Sequence, residues 1–287
     1  MKSIIQTEFR HLLTLKWVRW TFLSLLAVEI VSAIFLVKIT QVQDTSHLSA
    51  FEMLGFTFRS GFYTVLFFLF GNVAISIASE NNSGVLKTIL SLLPNRGDYL
   101  TGKCLAHVVL GIGFTLTALV LSLILGFFSG DFSGLLEGTY IIISSGDLWK
   151  SLFLATLIII FPLIAGISIA LFFSVLCRNS GMAVILTFGF FLALSLTGFS
   201  DLTLIFDFNN KLLTHYISFP LDTFIALSKG LPSTWKPDIF YLIFGSILYG
   251  GLFFFMQEFR DGGYFNIWIL SGTFSHGIFR FNPDFRF

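Results

Sequence analysis

The chain has 287 residues, of which 55% are hydrophobic and 11% charged, with a formal net charge of +1. Soluble domains carry about 25% charged residues, so this chain has too few to cover a water-facing surface, and the composition implies one polytopic membrane domain. A charge balance this close to neutral gives no sign of a nucleic-acid partner.

Met1–Lys16 is the first piece. Ile5, Phe9, Leu12 and Leu13 share a helical face, with Lys2, Glu8, Arg10 and Lys16 mostly elsewhere. That pattern fits a helix lying in the membrane interface, and equally a positively charged flank that happens to be helical. It is not a cleavable signal peptide, because the apolar run behind it is too long and no small-residue cleavage site follows.

A spanning helix needs about 20 apolar residues, each adding about 1.5 Å across a core of about 30 Å. Six stretches qualify: Trp17–Ile39, Gly61–Ala78, Cys104–Phe128, Leu152–Leu176, Met182–Phe206 and Ile239–Met256. Trp17, Trp20, Trp149, Trp235 and Tyr241 fall near span ends, as an interfacial aromatic belt requires. With the N-terminus inside, the inner flanks hold Lys2, Arg10, Lys16, Arg19, Lys87, Arg96, Lys103 and Arg178 among others, against Lys38, Arg59, Lys150, Lys211, Lys229 and Lys236 outside. The excess sets the orientation, and an even number of spans puts both termini in the cytoplasm. Of the outer loops, Thr40–Phe58 is modest, Ser129–Lys150 is acidic, and Asp207–Asp238 is half apolar. The last implies short helices dipping into the outer leaflet, broken near Pro220.

Glu29 sits in the middle of the first span, where an acidic residue costs about 2.5–3.5 kcal/mol on insertion scales. Arg59 opens the second span. At about 1.5 Å per residue, Glu29 lies about 15 Å below Ile39, and Arg59 about 12 Å below a helix start near Phe51. The depths match, so a Glu29–Arg59 pair joining the two spans is one reading. Glu29 lining a translocation path is the other. Asn72 reads as an interhelical hydrogen bond in preference to a substrate ligand, and His107 as interfacial. Cys104 and Cys177 read as unpaired thiols, since neither a disulfide framework nor a metal site has enough ligands.

Between the second and third spans, Val85, Leu86, Ile89, Leu90, Leu92 and Leu93 form a wide apolar stripe beside Lys87, Thr88 and Ser91. Asn82 or Ser83 caps the start, Pro94 ends it, and Asn95-Arg96-Gly97 reads as a turn. The stripe suits a short helix across the inner face, resting on lipid or filling a partner's groove. Gly97–Lys103 matches the spacing of a phosphate-binding loop, but Cys104 stands where a hydroxyl must ligate Mg²⁺, and no strand precedes it.

This region resembles the permease subunits of type 2 ABC transporters. Glu80, Gly84, Lys87, Leu90, Leu92, Leu93, Pro94, Arg96, Gly102 and Lys103 follow that family's order between the second and third spans. The resemblance implies an all-α integral membrane protein: six transmembrane helices, an N-terminal interfacial helix and a cytoplasmic coupling helix. The permease domain would be residues 1–260, with a cytoplasmic tail over residues 261–287 that departs from the family pattern. The coupling helix docks on a separate ABC ATPase subunit, and by resemblance that role falls to Glu80, Gly84, Val85, Lys87, Ile89, Leu90, Pro94 and Arg96. ATP and Mg²⁺ would be bound by the ATPase, and this chain would bind no cofactor and catalyse nothing. A second permease subunit, identical or similar, and the lipid bilayer complete the partners, in a bacterial inner membrane. The family mostly exports. An enzyme is disfavoured because no paired carboxylates, metal-spaced His or G-x-S-x-G element lies on the spans. An ATP-independent carrier or channel is the alternative, although no convincing internal repeat supports it.

Overall fold

A computed structural model describes residues 2–42, 49–85, 96–137, 140–177, 179–197, 217, 219–231 and 246–247. In chain order the elements are α1 (Lys2–Thr14), α2 (Lys16–Val42), α3 (Ala50–Asn82), α4 (Arg96–Ser129), β1 (Leu135–Glu137), β2 (Tyr140–Ile143), α5 (Ser145–Ile158), α6 (Ile160–Leu176), α7 (Ser180–Thr197) and α8 (Phe219–Ser228). Four stretches among the described residues are long and apolar enough to cross a membrane: Lys16–Gln41, Ala50–Asn82, Tyr99–Ser129 and Ser145–Leu176.

The central element is α3. Phe51, Leu54, Phe58, Phe62, Val65 and Leu69 repeat every three or four residues along it, so they fall on one stripe, and all are fully buried. α2, α4, α6, α7 and α8 all pack on α3. Its start is fixed locally, because Ser49 Oγ accepts the Glu52 backbone N–H at 3.1 Å, a serine with an acid three residues on. Hydropathy alone places this span at Gly61–Ala78, and the expected loop at Thr40–Phe58 therefore gives way to helix from Ala50 onward.

α4 likewise begins at Arg96, ahead of the expected Cys104. Residues 96–103 are thus the first turns of a helix and not a turn followed by a loop. A phosphate-binding loop needs unwound backbone whose N–H groups converge on an anion, so the Gly97–Lys103 spacing is helix without that geometry.

The fourth span starts at Ser145, capped by Ser144 Oγ accepting the Asp147 N–H at 3.2 Å. It is divided at Ile159 into α5 and α6. Pro162 explains the division: it has no N–H to donate, and its ring crowds the carbonyl of Ile158, four residues back. Between α4 and α5 the expected loop holds a small antiparallel hairpin, β1–β2, pairing Glu137 with Tyr140 and Leu136 with Ile141. The described body is otherwise helical. Of the fifth expected span, Ser180–Thr197 is described. The sixth, Ile239–Met256, lies outside the described residues apart from positions 246–247, as does the whole of the tail 261–287.

α8 is one of the short helices expected between the last two spans, and it begins at Phe219 with Pro220 in its first turn. It lies against the start of α3. Phe224 is buried beside Phe51, ring centroids 6.5 Å apart, and Gly55 leaves room for Phe224 and Ile225. Two ion pairs flank this contact, Arg59–Asp222 at 2.9 Å and Lys229–Glu52 at 3.2 Å. The helix ends on Gly230, whose φ of +72° suits glycine, with the Leu231 N–H reaching back to Ala226 O at 2.9 Å. Arg59 and Asp222 are each 40% exposed, so their pair is worth little in water. Asp222→Asn is expected to cost about 0.5 kcal/mol of stability in a denaturation titration, with the aromatic contact holding α8 in place.

Candidate functional site: the Glu80 end of the bundle

α3 and α4 are joined by the segment read as a coupling helix, and the two helix ends that flank it are tied together. Lys103 Nζ lies 2.7 Å from Glu80 Oε1 and 3.6 Å from Glu8 Oε1. The Tyr99 hydroxyl donates to the other oxygen, Glu80 Oε2. The ammonium also sits 5.3 Å from the centroid of the Tyr99 ring. The Lys103 side chain is only 3% exposed. One lysine therefore fastens α1, α3 and α4 at one point.

The helices place these groups by simple periodicity. Tyr99 and Lys103 are four residues apart on α4, one above the other on one face. Glu8 reaches them because α1 packs along α4. Of the apolar face read along α1, Phe9 lies against the core and Leu12 is buried, whereas Leu13 is exposed. Lys103, counted among the inner flanking charges, is buried between two carboxylates.

A second polar link continues deeper. His107 Nδ1 is 2.8 Å from the Lys103 carbonyl oxygen, and Nε2 is 3.2 Å from Asn72 Oδ1 on α3. His107 is fully buried, so it is an interhelical link and not the interfacial residue expected. Asn72 is the interhelical hydrogen bond that its position suggested.

Beyond Glu80 the chain changes direction. α3 ends at Asn82, Ser83 caps it, and Gly84 takes a φ of +76° with its N–H donating to Asn81 O at 3.3 Å. That left-handed conformation is costly for any residue with a Cβ. The space around Gly84 is open, so Gly84→Ala is expected to lose about 1 kcal/mol through backbone strain alone. A matched denaturation series with Ser83→Ala as the control checks it. Val85 is described and exposed. Lys87, Ile89, Leu90 and Pro94 lie outside the described residues, and Arg96 is placed only as the first residue of α4.

The other expected pair, Glu29–Arg59, is not the one the structure makes. Glu29 is 1% exposed. The Ser122 hydroxyl on α4 donates to its Oε2 at 3.2 Å, and Oε1 has no hydrogen-bond partner among the described residues. That oxygen rests against Gly61, where a Cβ would collide with it. Residue 59 lies about 200° around the helix from residue 61, so the helix face that meets Glu29 turns Arg59 away. Arg59 pairs with Asp222 instead and stands 5.9 Å from the Tyr63 ring centroid. Depth arithmetic from sequence fixes the level of a residue in the membrane but not its azimuth. Cys104 and Cys177 are both buried and unpaired.

Comparison with curated proteins and with solved structures returned no match. A family model described as ABC-2 family transporter protein matches residues 2–246, from α1 to beyond α8. With its several apolar helices and a match over most of its length, the chain belongs to the ABC-2 transporter family and is a multi-pass membrane permease of that type.

Proposed function

We propose that this permease is the transmembrane subunit of an ATP-driven exporter, moved by a separate ATPase that docks on the segment between α3 and α4. The observation that carries this reading is the Lys103 junction, which ties Glu80 at the end of α3 to α4 and α1. A push on a segment anchored in this way acts on two spans at once. Because α2, α4, α6, α7 and α8 all pack on α3, displacement of its end reaches the rest of the bundle.

In this reading Glu80 and Gly84 fix where the segment leaves α3, and Arg96 marks where it rejoins α4. Val85, Ile89 and Leu90 fill an apolar cleft on the ATPase, Lys87 meets its rim, and Pro94 ends the segment. The ATPase holds ATP and Mg²⁺, and this chain holds neither. Two six-span permease subunits form the path between them, in a bacterial inner membrane with both termini in the cytoplasm. ATP binding closes the ATPase pair and switches the spans between inward- and outward-facing arrangements. Export follows the habit of the family.

The test is gentle solubilisation followed by purification and reconstitution into proteoliposomes. The expected result is co-purification of a soluble chain with a complete phosphate-binding loop, and nucleotide hydrolysis that depends on both chains. Transport that runs without any nucleotide-hydrolysing partner contradicts the proposal and favours an ATP-independent carrier.

A further inference from the structure

Two successive backbone N–H groups in the interior of α3 have an acceptor on another helix. Those of Ile77 and Ala78 both donate to Ser174 Oγ on α6, at 3.0 and 3.1 Å. In an undistorted α-helix each N–H is aimed along the axis at the carbonyl four residues back, out of reach of a hydroxyl on another helix. A foreign side chain that collects two such groups competes with the helix's own carbonyls, and side chains inserted at the ladder are a recognised cause of bends within helices, although α3 runs as α-helix from Ala50 to Asn82. A nearby serine adds to the competition: Ser76 Oγ donates at 2.9 Å to the carbonyl of Val73, the acceptor that the Ile77 N–H has in a regular helix.

The surroundings are built for this approach. Ser174 is fully buried. Around it Ala74, Ala78 and Ala183 form a cluster with Cys177, all buried. Small residues let backbones come close in membrane bundles, and here they let α6 and α7 press against α3. The position along the chain matters equally. Upstream, α3 is held from Ala50 by its buried aromatic stripe. Downstream, within one turn, come Glu80 and its lysine. Ser174 itself is near the end of α6, which stops at Leu176 before α7 starts at Ser180.

We propose that Ser174 is the pivot about which the last turns of α3 swing, and that it passes movement of the segment beyond Glu80 to the α6–α7 end. This makes Ser174 a positioning residue, and it rests on the reading that an ATPase drives that segment. A hinge needs backbone hydrogen bonds that can be exchanged at low cost. An outside acceptor that competes with two carbonyls of the ladder supplies one, and a ladder without such a competitor does not.

The experiment compares Ser174→Ala, which removes the acceptor, Ser174→Cys, which fills the same space with a weak acceptor, and Ser174→Thr, which keeps the hydroxyl. In the purified chain, amide hydrogen exchange at Ile77 and Ala78 is expected to slow several-fold in the Ala and Cys variants, as each N–H trades a hydroxyl shared with its neighbour for a carbonyl of its own. The Thr variant keeps the parent rate. In proteoliposomes with the ATPase, the Ala and Cys variants move several-fold less cargo per ATP hydrolysed, and the Thr variant does not. Unchanged or faster exchange in the Ala and Cys variants overturns the proposal, because the hydroxyl then only shores up a break that exists without it. Slower exchange with unaltered cargo per ATP overturns it as well. The exchange measurement needs no ATPase, so it decides whether Ser174 holds the ladder open even if the proposed drive fails.

Discussion

Replacing Lys103 with Met is expected to destabilise the chain by about 3–5 kcal/mol, the range for removing one partner of a buried ion pair. The side chain is 3% exposed and stands between Glu80 and Glu8. Met fills the same volume with no charge. Glu80 keeps the Tyr99 hydroxyl but loses the ammonium, and Glu8 loses the one cation that pairs with it among the described residues. Two carboxylates are then left on three packed helices with nothing to neutralise them. Adding Glu80→Gln to Lys103→Met removes one of those charges and should recover part of the loss, which is the sign of a coupled pair. Denaturation of the single and double variants in one detergent measures it. A cost below about 1 kcal/mol, the value of an exposed pair, means that Lys103 reaches water or headgroups and the junction is not a buried one.

The second large effect is steric. Gly166 on α6 faces Phe70 on α3 so closely that a Cβ at residue 166 would fall on the Phe70 ring. The ring is backed by Phe191 of α7, stacked at 4.7 Å with the planes 13° apart. A flexible side chain can give way, but a ring wedged between a backbone and another ring cannot. Gly166→Ala is therefore expected to cost about 2–3 kcal/mol, as overpacking of a filled core does. Gly113→Ala, on a part of α4 where nothing lies within 4 Å of the added Cβ, is the matched control and should cost nothing. Phe70→Leu in the Gly166→Ala background should restore part of the loss. Equal stability of the two glycine variants contradicts the packing at α3, α6 and α7.

How much of this was legible in the sequence follows from what each signal measures. The first span, expected at Trp17–Ile39, is helical over Lys16–Val42, because there the apolar run and the helix nearly coincide. The second and third spans were found, but their helices start earlier, at Ala50 and Arg96. Hydropathy sees only the apolar part of a helix, and the extensions carry Glu52, Arg59, Arg96, Asp98 and Lys103. One extension carries its own signal in Ser49 and Glu52, a capping pattern that lies ahead of the apolar run. Pro162 announced the division of the fourth span, but a continuous apolar run concealed it.

The site was partly readable. Family order singled out Glu80, Gly84 and Lys103, and the structure gives all three a definite physical role: a carboxylate that is held, a glycine with a left-handed backbone and the buried ammonium that does the holding. Glu8, Tyr99 and Ser174 were missed. Glu8 and Lys103 are distant in sequence, and no local pattern relates them. Tyr99 stands four residues before Lys103, a spacing that signals contact only once that stretch is known to be helix. Ser174 looks like any serine in an apolar span, and its partner is backbone, which leaves no mark in sequence.

The central claim is that this permease is driven through the segment between α3 and α4. A photo-crosslinking residue placed at Ile89 in the intact membrane tests it most directly. The account predicts a covalent adduct with a nucleotide-hydrolysing protein, formed on the cytoplasmic side and changed in yield by ATP. Adducts with lipid alone, or labelling of that position by a reagent confined to the outside of the cell, contradict it.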